Sequence, residues 1–328
     1  MKAALLTAPE RIEVADIDEP RPGPGDVALR VEAVGICGTD HSIFAGAIPV
    51  EYPRVMGHEV VGTIVGADDN ARVLVDPGIA CGRCARCREG RPNICTEGWL
   101  LGRDADGGLR ELLTVPGRNV HVLPEAVDPT TAPIVQVLAT CVHAQRRCEP
   151  APGQSVVVLG LGVTGLLHVQ LTKLRGAGPI VGVTRSRAKL ELAGTLGADV
   201  LVRADGSEVD EVRAALAGGA DLVIDAAGTV ETLALAVELA RIGGRILAYG
   251  TITATSGSLR FYDLYYKELT IVGARSARPE DFPVALDAVA SGRVALAPLV
   301  SARFPIDAVP DAIAAAGGSG GLKVLIDV

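Results

Sequence analysis

Aromatic residues are scarce in this sequence, at 3% of 328 residues, so the core must be built from Val, Leu, Ile and Ala. No cluster of basic residues stands out and the net charge is -8, which argues against nucleic acids and anionic membranes as main partners. No stretch reaches the roughly 18 uninterrupted apolar residues of a membrane span. The first residues, MKAALLTAPERIEV, lack the apolar run of a signal peptide. We therefore expect a cytoplasmic protein, in which disulfides are rare.

Four of the seven cysteines fall within one short segment, CGRCARCREGRPNIC. Cys81, Cys84, Cys87 and Cys95 have the spacing C-x2-C-x2-C-x7-C. In a reducing compartment such clustering favours a metal over disulfides. Four thiolates form the closed tetrahedral site that Zn²⁺ prefers, with no position left for a substrate. We predict a structural zinc that stabilises this loop. The alternatives are an iron–sulfur cluster, a DNA-binding zinc ribbon and four unrelated thiols.

The two parts of the chain differ in their residue patterns. The segments DVALRVEAVGIC, EVVGTIVG and ARVLVDP are short and β-prone, with turn residues between them, which predicts an antiparallel, barrel-like domain. From about residue 153, apolar runs alternate with helical segments, which predicts a doubly wound parallel sheet. The tail, FPIDAVPDAIAAAGGSGGLKVLIDV, breaks that rhythm and is expected to return to the first domain. We therefore expect an α/β protein with one domain over 1–145 and 290–328, and a second over 146–289.

The segment SVVVLGLGVTGLLHVQLTKL contains a G-x-G-x-x-G motif between a buried strand and a helix. Gly160 would allow the tight turn, and Gly162, followed by Val163, would let the backbone approach a pyrophosphate. Gly165 would let the helix pack on the strand, with the helix N-terminus facing the phosphates. This strand–turn–helix context predicts a dinucleotide site, and a purely structural glycine-rich turn is the alternative.

The end of the following strand lacks the acidic residue that usually holds the ribose 2′-hydroxyl of NAD. Thr184 stands there instead, and Arg185 and Arg187 follow. A neutral hydroxyl and two guanidiniums suit a 2′-phosphate, because arginine can bind phosphate through two parallel hydrogen bonds. We predict NADP(H) rather than NAD(H); two solvated surface arginines are the alternative.

Further motifs lie outside the cysteine segment. Cys37 lies in VGICGTDHSIFAG, and His58 and Glu59 lie in YPRVMGHEVVGTI. Together with the cysteine loop and the later glycine motif, in this order, they resemble the zinc-dependent medium-chain alcohol dehydrogenases, in the polyol, sorbitol and glucose dehydrogenase-like branch. The resemblance covers essentially the whole chain. It implies a GroES-like β-barrel catalytic domain plus a Rossmann nucleotide-binding domain, two zincs per subunit, and a homodimer or homotetramer.

The resemblance also implies ligands for a catalytic zinc. Cys37 and His58 match two of them, and Glu59 matches a ligand or a close partner of the metal. The remaining ligand is expected in APIVQVLATCVHAQRR, where alignment on the His-Ala pair puts Gln136 at the position of the usual acid. A neutral amide there departs from the family pattern and would leave the zinc a stronger Lewis acid. Alternatively Gln136 holds the zinc-bound water, or Cys141 in a different register is the ligand.

Five further residues are given roles beside these ligands, three of them by their match to the family. Thr39 matches the hydroxyl that touches the substrate oxygen, and Asp40 is expected to stiffen this loop. His41 is a candidate for proton relay, although the family's relay histidine commonly lies one residue later. Thr140 matches a residue beside the nicotinamide ring, and Lys323 matches a basic residue near the pyrophosphate.

The implied activity is hydride transfer between NADP(H) and a secondary alcohol, polyol or sugar, or the corresponding carbonyl. A biosynthetic NADPH-dependent ketone or aldehyde reductase is a second interpretation. A cofactor-binding or redox-sensing protein with weak turnover is a third, from another functional class. The zinc-independent quinone-reductase relatives lack the ligand set found here, which argues against that branch.

Overall fold

A computed structural model of the chain describes residues 1–67, 71–318 and 321–328. The strands are β1 (Lys2–Ala8), β2 (Arg11–Asp16), β3 (Asp26–Ile36), β4 (Arg54–Val55), β5 (Glu59–Ile64), β6 (Arg72–Val75), β7 (Gly78–Ile79), β8 (Trp99–Leu100), β9 (Leu112–Pro116), β10 (Val120–Val122), β11 (Val156–Leu159), β12 (Ile180–Thr184), β13 (Val200–Arg203), β14 (Ala220–Asp225), β15 (Ala240–Ala248), β16 (Thr270–Gly273), β17 (Val300–Pro305) and β18 (Lys323–Asp327). The helices are α1 (Gly38–Phe44), α2 (Ala85–Arg88), α3 (Pro133–Cys148), α4 (Val163–Leu174), α5 (Arg187–Thr195), α6 (Glu208–Ala215), α7 (Val230–Leu239), α8 (Phe261–Tyr266), α9 (Asp281–Ala290) and α10 (Val309–Ala316).

The chain forms two compact units, and the first comprises residues 1–139, 276–292 and 296–328. Its largest sheet has the order β10-β6-β5-β3-β18-β17, with β9 also pairing with β3. The pairs β3–β5, β5–β6 and β3–β18 are antiparallel, whereas β17–β18 is parallel. Because β18 pairs with β3, residues from the tail of the chain join the same sheet as the strands near its start. The remaining strands form a sheet of order β2-β1-β4 and the pair β7–β8.

The second unit comprises residues 140–275 and 293–295. Its sheet has the order β13-β12-β11-β14-β15-β16, and every neighbouring pair is parallel. Strands run outward from β11 in one direction and from β14 in the other, so the carboxyl ends of β11 and β14 flank the point where the strand order reverses. The predicted fold class is confirmed. The main hydrophobic cluster described in this unit consists of Val, Leu, Ile and Ala, as the scarcity of aromatic residues predicts.

Among the helices in the described part of the chain, none has the length and apolar character that crossing a membrane requires.

Candidate metal centres and dinucleotide site

The four clustered cysteines converge at one point in the first unit. The ligand atoms of Cys81, Cys84, Cys87 and Cys95 all lie within 4.8 Å of one another. Cys84 Sγ is 3.6 Å from Cys87 Sγ and 3.7 Å from Cys95 Sγ. Four sulfurs placed tetrahedrally at the usual Zn–S distance of about 2.3 Å would be about 3.8 Å apart. The donor set and its spacing therefore fit a four-coordinate zinc ion.

The electrostatics of this loop also favour a cation. Backbone N–H groups of Cys87 and Thr96 lower the pKa of the Cys84 thiol to about 5, so this sulfur ionises readily. Burial and the neighbouring sulfurs raise the pKa of Cys87 to about 12. Thiolates this close repel one another, and a divalent cation among them would remove that repulsion.

A second group of ligand atoms forms where β3 and β5 pair. Cys37 follows β3 and is the N-cap residue of α1, while His58 and Glu59 lie at the start of β5. Their ligand atoms lie within 4.8 Å of one another, and both His58 and Glu59 are buried. Gly35 is paired with Glu59, and a Cβ atom on Gly35 would lie 2.0 Å from Glu59 Oε2. The glycine therefore leaves the space that the Glu59 carboxylate occupies inside the sheet.

Asp40 connects the members of this group and is fully buried. Its Oδ2 accepts a hydrogen bond from the Cys37 N–H at 2.8 Å, and its Oδ1 accepts one from the Gly57 N–H at 3.2 Å. Oδ1 also lies 3.5 Å from His58 Nδ1. Sequence reasoning expected Asp40 only to stiffen its loop, whereas the structure also places its carboxylate beside the His58 ring. A carboxylate behind a metal-binding histidine fixes the ring and its tautomer.

The charges of Asp40 and His58 depend on each other. Burial acts to raise the pKa of Asp40, but His58 and the N–H groups of Cys37 and Gly57 leave that pKa below its usual value. Burial acts to lower the pKa of His58, but the charges of Asp40 and Cys37 outweigh burial and raise it well above 6.5. Without a metal, the Asp40 carboxylate therefore favours the protonated form of His58.

Lys323 has a partner different from the pyrophosphate that the resemblance implied. Its Nζ donates to both oxygens of Glu59, at 2.7 and 2.8 Å, and to the Ile36 carbonyl at 3.1 Å. Burial acts to lower the pKa of Lys323, but the charges of Glu59 and Cys37 raise it. The buried Lys323 ammonium therefore pairs with the Glu59 carboxylate in this structure, and its place near the pyrophosphate stays a prediction.

The other residues assigned to this centre keep their roles as predictions. Thr39 is partly exposed in α1, and His41 is exposed. The His41 ring packs against Gly317, because a Cβ atom on that glycine would lie only 2.8 Å from His41 Cε1. Gln136 is buried in the first turn of α3.

The glycine motif has the predicted strand–turn–helix geometry. Gly160 directly follows β11 with φ of +83°, and Gly162 is the N-cap of α4, which begins at Val163. A Cβ atom on Gly165 would lie 1.9 Å from the Gly160 carbonyl oxygen, so a larger residue would push the helix off the strand. The first N–H groups of α4 lie next to this turn and could bind phosphate oxygens.

A third arginine, which sequence reasoning missed, lies beside the predicted 2′-phosphate site. Thr184 ends β12, and Arg203 ends β13 directly opposite it in the parallel register. Arg185 is exposed and makes no ion pair within the described ranges, whereas Arg187 Nε bonds Glu191 Oε1 at 2.9 Å. The sequence does contain a signal for Arg203. It is the last residue of the strand that follows β12, and the carboxyl ends of parallel strands lie at the same edge of the sheet.

Thr140 lies in α3, and its Oγ1 is 2.7 Å from the hydroxyl of Tyr249. Tyr249 directly follows β15, so it lies at the same carboxyl edge of the parallel sheet as Gly160 and Thr184. Ligands of doubly wound sheets bind along this edge. The position of Thr140 is thus compatible with its predicted place beside the nicotinamide.

Comparisons with known proteins agree with this arrangement. The alcohol dehydrogenase GroES-like domain family matches residues 23–125, and the zinc-binding dehydrogenase family matches residues 163–291. L-galactonate-5-dehydrogenase of Escherichia coli K12 is 34% identical, over 93% of this chain and 92% of that protein. Among solved structures, a zinc-binding dehydrogenase of Sinorhizobium meliloti 1021 bound to NADP is 34% identical with a TM-score of 0.92, covering 100% of this chain and 99% of that one. The Escherichia coli CFT073 alcohol dehydrogenase rspB, complexed with NADH, is 32% identical with a TM-score of 0.93, over 100% and 99% of the two chains.

Proposed function

Since the chain belongs to the zinc-binding dehydrogenase family with an alcohol dehydrogenase GroES-like domain, we propose that it transfers a hydride between NADP(H) and a secondary alcohol, polyol or sugar, or the corresponding carbonyl. The observation that carries this proposal is the convergence of Cys37, His58 and Glu59, which lie at the adjacent ends of two paired strands. The activity of the galactonate dehydrogenase relative on a sugar acid supports a polyhydroxylated substrate.

Residues of the first unit would hold the metal ion that activates the substrate. When bound, zinc would supply Lewis-acid polarisation of the substrate oxygen, and the nicotinamide would supply or accept the hydride. Cys37 and His58 would hold the metal, with Gln136 or Glu59 nearby. Because Asp40 faces His58 Nδ1, Nε2 is the nitrogen available to a metal.

The proton of the alcohol needs a path to water. The Thr39 hydroxyl would accept it from the substrate and donate its own onward, because a hydroxyl is both donor and acceptor. His41 is exposed and two residues further along α1, so it would pass the proton to solvent.

We expect two zinc ions per chain in the wild type and one in Cys37→Ala, measured by elemental analysis. Cys141→Ala is the matched control, since it removes a fully buried thiol that lies outside both groups of ligand atoms, and it should retain both ions. Loss of one ion in Cys141→Ala would instead favour the alternative register in which Cys141 is a ligand. In assays with polyols, sugars and sugar acids, Gln136→Ala should lose far more activity than Cys141→Ala. One zinc in both the wild type and Cys37→Ala would contradict a catalytic metal centre. Two zincs without turnover of any alcohol or carbonyl would contradict the enzymatic proposal.

We propose NADP(H) as the preferred nicotinamide cofactor. The absence of an acidic residue at the end of β12, and the presence of Arg185 and Arg203 beside Thr184, support recognition of a 2′-phosphate. Relatives solved with NADP and with NADH are both known, so the choice depends on these side chains.

Arg185→Gln and Arg203→Gln should each lower kcat/KM with NADP⁺ by roughly 10- to 100-fold, the cost of losing one charge-assisted hydrogen bond. The value with NAD⁺ should change little, because NAD⁺ has no 2′-phosphate. Arg187→Gln should have a smaller effect, since the Arg187 guanidinium is paired with Glu191 and would have to leave it to reach the phosphate. A wild type that uses NAD⁺ as efficiently as NADP⁺ would contradict the preference.

We also propose that the protein is a homo-oligomer that associates through one edge of the second unit. Helix α8 carries four of the ten aromatic residues, and all four are exposed: Phe261, Tyr262, Tyr265 and Tyr266. Strand β16 is the edge of the parallel sheet, and its Ile271 is exposed. An open strand edge beside exposed aromatic rings is a surface that a second copy could cover.

Ile271→Lys combined with Tyr265→Lys should convert the oligomer to a monomer in light scattering, because charges on an edge strand prevent pairing. Val122→Lys, an exposed apolar residue on β10 at the edge of the other large sheet, should leave the mass unchanged. A monomeric wild type would refute the proposal.

A further inference from the structure

A chain of buried polar side chains in the second unit begins at Arg175. Arg175 Nε donates to Gln145 Oε1 at 3.0 Å, and because a guanidinium can only donate, this bond fixes which end of the Gln145 amide is the oxygen. Gln145 Nε2 is therefore the donor, and it lies 3.2 Å from His168 Nδ1 and 3.1 Å from Thr172 Oγ1. The amide thus holds the His168 ring from one side.

His168 is a buried ring that resists protonation. The ring is fully buried, and burial lowers its pKa to about 3. Gln145 Nε2 also donates to the His168 backbone carbonyl at 3.1 Å, so the amide contacts both the ring and the backbone of His168. The ring therefore acts as a fixed packing surface and not as an acid or base at neutral pH.

Tyr249 packs against this ring. The centroids of the Tyr249 and His168 rings are 4.6 Å apart and the rings are nearly perpendicular, at 84°, which is a favoured aromatic geometry. The phenol oxygen is 2.7 Å from Thr140 Oγ1 and 3.6 Å from Cys141 Sγ. Tyr249 is thus held at its ring by His168 and at its hydroxyl by α3.

Tyr249 also differs from the other tyrosines of the chain. Tyr52, Tyr262, Tyr265 and Tyr266 are all exposed, whereas Tyr249 is partly buried at the carboxyl edge of the parallel sheet. A phenylalanine would make the same ring contact with His168 but would lose the hydroxyl that bonds Thr140 and lies near Cys141.

We propose that Tyr249 is a positioning residue that orients the Thr140 hydroxyl toward the nicotinamide end of the bound cofactor. This inference rests on the proposed function, since Thr140 is assigned to the nicotinamide through the family resemblance. A threonine side chain rotates freely about one bond, and a fixed acceptor or donor at 2.7 Å selects one rotamer before the cofactor arrives. The Arg175–Gln145–His168 hydrogen-bond chain fixes the position of the Tyr249 ring and therefore of its hydroxyl.

The test compares the binding of a whole cofactor with the binding of its adenine half. Fluorescence titration of NADPH reports the nicotinamide end, and calorimetric titration of 2′,5′-ADP reports a ligand that has no nicotinamide. Tyr249→Phe and Thr140→Val should each weaken NADPH by about 3- to 10-fold, the value of one hydrogen bond. The double variant should be no weaker than either single variant, because both remove the same interaction. All three should bind 2′,5′-ADP like the wild type, and Tyr52→Phe, which alters an exposed tyrosine, should bind both ligands normally. If the wild type prefers NADH, then NADH and AMP replace these two ligands.

Three results would overturn the inference. Unchanged NADPH affinity in Tyr249→Phe would show that the hydroxyl does not position Thr140. Equal weakening of NADPH and 2′,5′-ADP would show that Tyr249 only supports the fold, and additive losses in the double variant would show that the two hydroxyls act separately. A wild type that binds neither dinucleotide would refute the proposed function itself, which is a distinguishable outcome.

Discussion

Replacing Lys323 by methionine is expected to lower the free energy of unfolding of the metal-free protein by about 3–5 kcal/mol. The reason is that the Glu59 carboxylate is fully buried and both of its oxygens accept hydrogen bonds from the Lys323 ammonium. Methionine has a similar length but no charge, so a buried anion would lose its cation. Urea unfolding of chelator-treated protein, followed by circular dichroism, measures the change.

The chain offers a matched control for this prediction. Lys2 Nζ lies 2.8 Å from Asp307 Oδ1, a similar distance, but both side chains of this pair are exposed. Lys2→Met should therefore change stability little or not at all, because water solvates an exposed partner. A second variant, Lys323→Met with Glu59→Gln, should recover part of the loss, since it removes the orphaned charge as well. Equal effects of Lys2→Met and Lys323→Met would show that the buried ion pair does not stabilise the fold.

Bound zinc should reduce the stability loss caused by Lys323→Met, and pH should affect it only in the alkaline range. A zinc ion beside Glu59 would supply the missing positive charge, so the loss should be smaller in the zinc-loaded protein. The pKa of Lys323 is raised above 10.5, so the stabilisation from its charge is fully present below the unfolded-state pKa. It should be lost only as the pH rises through the raised folded-state value, and the effect of Lys323→Met should be constant through neutral pH.

Features that are local in the sequence could be predicted from it. The four-cysteine loop and the glycine turn each lie within one short segment, so their spacing alone brings the side chains or the backbone together. The alternation of apolar runs predicted the parallel sheet, because each run forms one strand of it, buried in the centre and more exposed at the edges β13 and β16. Cys37 and His58 depended on the family resemblance, since they meet only through the pairing of β3 with β5.

Features that depend on distant partners could not be predicted. Lys323 and Glu59 are 264 residues apart, and no local pattern tells which oxygen a buried ammonium will meet. Arg203 reaches the cofactor edge through the register of β13 against β12, which the sequence does not specify by itself. The role of Asp40 depends on where Gly57 and His58 lie in space, so only the loop-stiffening part of it was visible in the sequence.

Replacing Asp40 by asparagine is expected to weaken zinc binding at the Cys37 and His58 centre by about 10- to 100-fold. Asparagine keeps one acceptor oxygen for the N–H of Cys37 or Gly57, but it loses the charge that faces His58 Nδ1 and supports its basicity as a ligand. Competition with a chromophoric chelator measures the affinity. Asp225→Asn is the control, because Asp225 is another fully buried carboxylate that accepts backbone N–H bonds, but it lies in the second unit.

The pH dependence of this loss distinguishes a ligand-supporting role from general destabilisation. In the metal-free wild type, Asp40 raises the pKa of His58 well above 6.5, so zinc must displace a proton and its affinity falls as the pH is lowered through that pKa. In Asp40→Asn the proton leaves His58 at a lower pH, so competition from protons is weaker. The difference in zinc affinity between wild type and variant should therefore be largest at alkaline pH and should narrow toward neutral and acidic pH. A difference that stays constant with pH would show that Asp40 supports only the backbone of the loop, and that its charge does not act through His58.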